Sequence, residues 1–153
     1  MNCPTSVKKQ RGFTLIELLV VIGILAILLS IVLIAINPAR QFGQANNTKR
    51  RSDTTAILNA IGAYAADNKG NLPSGIPATA ATITDGTGGA NVCSALMPTY
   101  ISALPADPAV NNGVAITTCT SYSAGYTVVK DANNRVTVAA PSAENSETIS
   151  VTR

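Results

Sequence analysis

The sequence predicts an α+β protein in which one long N-terminal helix, apolar in its first half and amphipathic in its second, carries a small antiparallel β-sheet head. Three observations carry that prediction. Residues 18–36 run for nineteen positions without a charged side chain, which at roughly 1.5 Å per residue nearly crosses a ~30 Å hydrocarbon layer. Ile57, Ala60, Ile61 and Tyr64 then recur at three- and four-residue spacing, marking one apolar helical stripe. Beyond residue 110 the β-branched and aromatic residues gather in short runs between polar turns.

The apolar run follows the basic cluster Lys8, Lys9 and Arg11 directly. By the tendency of positive residues to stay on the cytoplasmic side, this end remains inside and the rest of the chain is exported. We therefore expect a single-pass cytoplasmic-membrane helix with its C-terminal domain outside the cytoplasm. Glu17 interrupts the plain anchor pattern, because a carboxylate near mid-bilayer costs on the order of 2.5–3.5 kcal/mol on insertion scales. The free N–H groups and partial positive charge of a helix N-terminus offset part of that cost. A free α-amine released by cleavage would offset more.

The residues Lys8-Lys9-Gln10-Arg11-Gly12 followed by Phe13-Thr14-Leu15-Ile16-Glu17-Leu18-Leu19 resemble the class III signal of type IV prepilins and type II secretion pseudopilins. The resemblance implies cleavage between Gly12 and Phe13 by a prepilin peptidase, N-methylation of Phe13 and retention of the apolar helix. It also implies that Glu17 of an incoming subunit pairs with the Phe13 amine of a neighbour in a filament. Such a pairing suits docking in register, since each buried charge is relieved at only one axial offset. The bland alternative for Glu17 is a membrane carboxylate facing a protein or water cavity. An ordinary secretory signal is a poorer fit, because its cleavage follows the apolar run at small residues, and Ser30 to Arg40 continues with Ile, Val and Leu.

Taken in order, residues 1–12 are the expected leader, 13–36 the membrane or filament-core helix, 37–69 its amphipathic continuation and 70–153 the head. Removing the leader leaves 141 of 153 residues, enough for one compact domain beside a long helix. Of the 11 basic residues three, Lys8, Lys9 and Arg11, leave with the leader, so the remainder balance the 8 acidic ones. A formally neutral chain argues against a dedicated nucleic-acid surface. Cys3 also leaves, and Cys93 and Cys119 remain as an even pair in the exported part, where we read a disulfide. Two buried small thiols are the alternative.

Pro38 removes a helix hydrogen bond and disfavours helix at Asn37, predicting a kink over residues 34–37. The resemblance implies that the stretch from a glycine such as Gly23 to such a proline can lose helicity on assembly; an ordinary proline kink at the membrane boundary is the alternative. If otherwise unbroken from Phe13 to Lys69, the rod spans roughly 85 Å. The run Lys49-Arg50-Arg51 reads as a solvated helix face or subunit contact rather than a DNA site, with Asp53 close by and no aromatic interleaving. Lys69-Gly70 with Leu72-Pro73 is a stop signal.

Residues 71–91 are rich in Gly, Ala, Thr and Pro and read as a surface loop. Gly86-Thr87-Gly88-Gly89 lacks the Lys-Ser/Thr of a phosphate loop. Val92 to Leu96 reads as a short helix. The stretch from Leu96 to Pro108, with Tyr100 and Leu104-Pro105-Ala106-Asp107-Pro108, resembles the segment that packs on the long helix in pseudopilins and short pilins. In the major pseudopilin the following loop binds calcium. Its usual aromatic is Ala109 here, and Asp107 by itself falls far short of the six to eight oxygens calcium takes. We read Asp107 as a turn residue, with calcium as the weaker alternative. Strands are expected at Val114 to Thr118, Tyr122 to Lys130 and Arg135 to Ala139, with a turn over residues 131–134 and an edge strand or tail at Thr148 to Val151. Laid on the stripe from Ile57 to Tyr64, this sheet buries both apolar faces.

The chain has no histidine, which excludes Ser-His-Asp and Cys-His catalysis and His-ligated metals. No carboxylate pair has an acid/base setting, and no cofactor is expected. The expectation is a non-enzymatic structural subunit of a type IV pilus-like filament, a homo-oligomer serving adhesion, twitching motility or DNA uptake. The resemblance implies a prepilin peptidase, an assembly ATPase and a membrane platform protein as partners. A pseudopilin of type II secretion is the nearest alternative. A monomeric membrane-anchored binding module is the alternative of another class.

Overall fold

A computed structural model describes residues 12–153. The basic cluster Lys8, Lys9 and Arg11, with Cys3 and the rest of the expected leader before Gly12, lies outside the described residues. The chain divides into two compact units after Pro38.

In the first unit, α1 (Leu15–Ile36) is long and apolar enough to cross a membrane and buries none of its side chains. Ser30 Oγ donates to Ala26 O at 2.8 Å, so this polar group is satisfied within its own helix, as an apolar solvent demands. The helix ends at Asn37, whose backbone is left-handed (φ 47°, ψ 80°), and α2 (Pro38–Asp67) begins at the next residue. The expected unbroken rod with a kink is therefore two helices. The proline ring bars right-handed helix at the residue before it, asparagine tolerates the left-handed region, and proline is well suited to a first helical position.

In the second unit, α2 buries Gly43, Asn47, Arg50, Thr54, Ile57, Leu58, Ala60 and Ile61, one continuous face that is polar early and apolar late. Gly70, with φ 86°, turns the chain out of the helix and donates to Ala65 O at 2.7 Å. Four antiparallel strands, β1 (Ala81–Thr84), β2 (Ser123–Lys130), β3 (Val136–Ala140) and β4 (Ile149–Thr152), follow in the spatial order of the chain. Alternation puts Ala124, Tyr126 and Val128 of β2 and Val136, Val138 and Ala140 of β3 in a core shared with Ile57, Ile61 and Leu96. Asp131 closes the β2–β3 turn, its Oδ1 accepting from the Asn133 and Arg135 N–H groups at 2.8 Å each.

Two expectations need correction. The segment 71–91 is not simply a surface loop: it holds β1, and Ile76, Ile83 and Ala90 are buried. Its small residues permit close approach, since a Cβ on Gly89 would lie 2.2 Å from Thr84 Cγ2. Second, Val114 to Thr118 is not a strand; Ile116 makes a single bridge to Leu104. Of the two readings of Thr148 to Val151, the edge strand is the one found, since Ile149–Thr152 pairs with β3 at the end of the sheet. The short helix α3 (Cys93–Leu96) starts one residue later than expected. Its Cys93 is bonded to Cys119, with Cα atoms 5.5 Å apart, tying α3 to the loop before β2.

Candidate functional site

At the start of α1, Thr14 is extended (φ −82°, ψ 151°) and caps the helix, its hydroxyl accepting from Glu17 N at 3.3 Å. Glu17 reaches back: one carboxylate oxygen accepts from Thr14 N at 2.9 Å and Thr14 Oγ1 at 2.7 Å. This capping box arises because Thr and Glu are spaced three apart at the helix entry, each satisfying a donor the helix leaves free. The acid is thus held within its own chain. Gly12 and Phe13 precede the helix in irregular backbone, with Phe13 90% exposed. The expected scissile bond therefore lies in exposed, non-helical chain, the form a peptidase needs. Phe13, Ile16, Glu17, Val20 and Val21 share one concave apolar patch of the helix.

The second feature is a polar clasp inside the head. Arg50 is only 1% exposed. Its Nε and Nη2 donate to the two carboxylate oxygens of Asp107 at 2.7 and 3.0 Å, and its Nη1 to Asn47 Oδ1 at 3.0 Å and Glu144 Oε1 at 3.1 Å. Asn47 and Glu144 also exchange bonds, Asn47 Nδ2 to Glu144 O at 2.8 Å and Glu144 N to Asn47 Oδ1 at 2.9 Å. One guanidinium thereby joins α2 to the turn at Asp107 and to the β3–β4 connection. Hydrogen bonds to Asp107 raise the Arg50 pKa further. Hydrogen bonds from Asn46 and then Arg50 hold the Glu144 carboxyl below the usual range. Next to the clasp, Tyr126 Oη donates to Asp53 Oδ2 at 2.7 Å, and Lys49 Nζ donates to the same oxygen at 2.5 Å and to Ala106 O at 2.9 Å. Burial, and then the bond to Asp53, push the Tyr126 phenol well above its ordinary pKa.

This corrects the reading of Lys49-Arg50-Arg51 as a solvated face. Arg51 is exposed and paired with Glu147, Lys49 is half-exposed, and Arg50 is interior. The signal was present: Arg50 falls between Asn47 and Thr54 on the helical spacing that continues to Ile57 and Ile61. The partner Glu144 had no such signal. Asp107 occupies a turn, its Oδ1 also accepting from Ala109 N at 2.8 Å. Among the described residues no group of three or more His, Cys, Asp or Glu side chains converges. A cation at Asp107 would have to compete with a guanidinium already seated there.

Two comparisons bear on identity. Residues 7–33 match the family model described as the prokaryotic N-terminal methylation motif. The chain is also 33% identical over 108 residues to the type II secretion system core protein G of Escherichia coli (strain K12), covering 71% of this chain and 72% of that protein. The chain belongs to the type IV pilin and pseudopilin family. No solved structure matches it. For a member of this family the apolar α1 fits membrane anchoring, and processing by a peptidase with assembly into filaments is the general behaviour. In this pilin-like chain Gly12, Phe13 and Glu17, the residues expected to serve processing and assembly, lie together at the start of α1, while Arg50, Asp107 and Glu144 organise the head.

Proposed function

We propose that this chain is the structural, non-catalytic subunit of a type IV pilus-like filament, released from its leader between Gly12 and Phe13 and polymerised through α1. The carrying observation is that α1 leaves all of its large apolar side chains exposed and holds a single acid, Glu17, in its first turn. Lipid satisfies that surface in the monomer; neighbouring α1 helices satisfy it equally in a fibre, so little apolar burial is lost on leaving the bilayer. Glu17 exchanges its own Thr14 for the Phe13 amine of a neighbour, gaining an opposite charge. The head is exported, the first residues stay cytoplasmic, and an assembly ATPase and a membrane platform protein extract the subunit.

The pilus reading over the pseudopilus is supported by the head, where Asp107 binds an internal guanidinium and a disulfide ties the loop before β2. The pseudopilin reading is favoured by the relative from the type II secretion system. Sheared surface fibres decide between them: this chain in such fibres, starting at N-methylated Phe13, supports a pilus. Periplasmic restriction together with a secretion defect on deletion supports a pseudopilus. A chain that keeps Met1 and stays solitary in the membrane overturns both.

A further inference from the structure

Beyond the N-terminal apolar stretch of residues 13–36, two large apolar side chains among the described residues stand strongly exposed, Phe42 at 70% and Val114 at 59%. Val114 lines a cavity of mixed character, with Val110, Ile116 and Tyr122 beside Thr and Ser residues. Phe42 stands on α2 in an otherwise polar stretch with Arg40, Gln41 and Gln44. Toward the other end of the same helix an open apolar cavity of about 180 Å³ is walled by Leu58, Ile61, Ala65, Leu72 and Val136, with Arg153 on its rim. Arg153 Nη1 is held by Asn59 Oδ1 at 3.0 Å. A single exposed apolar residue needs no explanation; the match between this one and a cavity of fitting size is what points further. Apolar cavities of roughly 150 Å³ take up a benzene ring, and a guanidinium at the rim favours an aromatic occupant.

We infer that Phe42 of one copy seats in the Leu58–Ile61–Leu72–Val136 cavity of another copy. Knob and hole lie on one helix roughly 28 Å apart at about 1.5 Å per residue, so a chain cannot fill its own cavity. Because the two patches differ, the contact is heterologous and propagates along a fibre instead of closing a two-fold dimer. The inference rests on the filament reading and deepens it, adding a contact between α2 and a neighbouring head to the packing of apolar helices.

The test replaces Phe42 with the photo-crosslinker p-benzoylphenylalanine in the full chain, assembled in its own cells. Irradiated fibres are expected to yield dimers joined to the peptide spanning Leu58 to Leu72. Dimers joined through α1 or through another part of the head, or adducts to lipid alone, overturn the inference while leaving the filament reading intact. Absence of fibres from the unaltered chain overturns both. Two further variants guard against misfolding. Phe42→Ala removes the knob, and Gly62→Leu fills the hole, where an added Cβ meets nothing nearer than Arg153 Nη1 at 3.7 Å. Each should lower fibre yield about tenfold or more, with processing and thermal unfolding of the head unchanged. Normal yield from either variant overturns the contact.

Discussion

Arg50 and Asp107 lie 57 positions apart in the chain yet share two nearly parallel hydrogen bonds, 2.7 and 3.0 Å long, in the interior of the head. A bidentate pair of this kind is among the stronger polar contacts available to a protein. Its members are 1% and 0% exposed, so either one left behind is an uncompensated buried charge.

Asp107→Asn or Arg50→Met should therefore destabilise the head by about 3–5 kcal/mol. Arg50→Lys should rescue little, since an ammonium cannot reproduce the two-pronged geometry. Urea unfolding of the oxidised chain measures this, and a loss under about 1 kcal/mol for Arg50→Met would contradict the role assigned to the clasp.

Glu144 supplies a pH dependence. Its carboxyl titrates lower in the fold than when unfolded, chiefly through Asn46 and then Arg50. The stability it adds is fully present above the ordinary carboxylate range and is lost as pH falls through the lowered folded value. The urea midpoint should thus fall below about pH 4.5, and Glu144→Gln should flatten part of that decline. An unchanged slope in the variant would remove Glu144 from the account.

Reduction of Cys93–Cys119 should cost about 2–4 kcal/mol, because a loop of 26 residues regains its freedom in the unfolded chain. Cys93→Ala with Cys119→Ala should show a similar loss and no further sensitivity to reductant. Equal denaturation midpoints with and without reductant would argue that the bond does little for the head.

At the start of α1, Glu17→Gln should be processed and inserted normally but fail to enter fibres. Gly12→Leu should retain the leader. Mass spectrometry of the membrane and sheared fractions reads both outcomes. Normal fibre yield from Glu17→Gln would count heavily against the charge exchange.

The amino-acid sequence by itself determined the membrane-length helix, the placement of Glu17 in its first turn, the stripe of Ile57 and Ile61 and the β2–β3 hairpin. Each is a local or periodic signal, readable from neighbours within a few residues. Only the tertiary structure decided that Arg50 is interior, that Glu144 meets it, that Ile83 belongs to an edge strand and that Phe42 stands exposed while a cavity opens farther along α2. Those facts depend on which distant segments come to cover a face. A polar residue on a helix is indistinguishable from a solvated one until its partner, far along the chain, is brought against it.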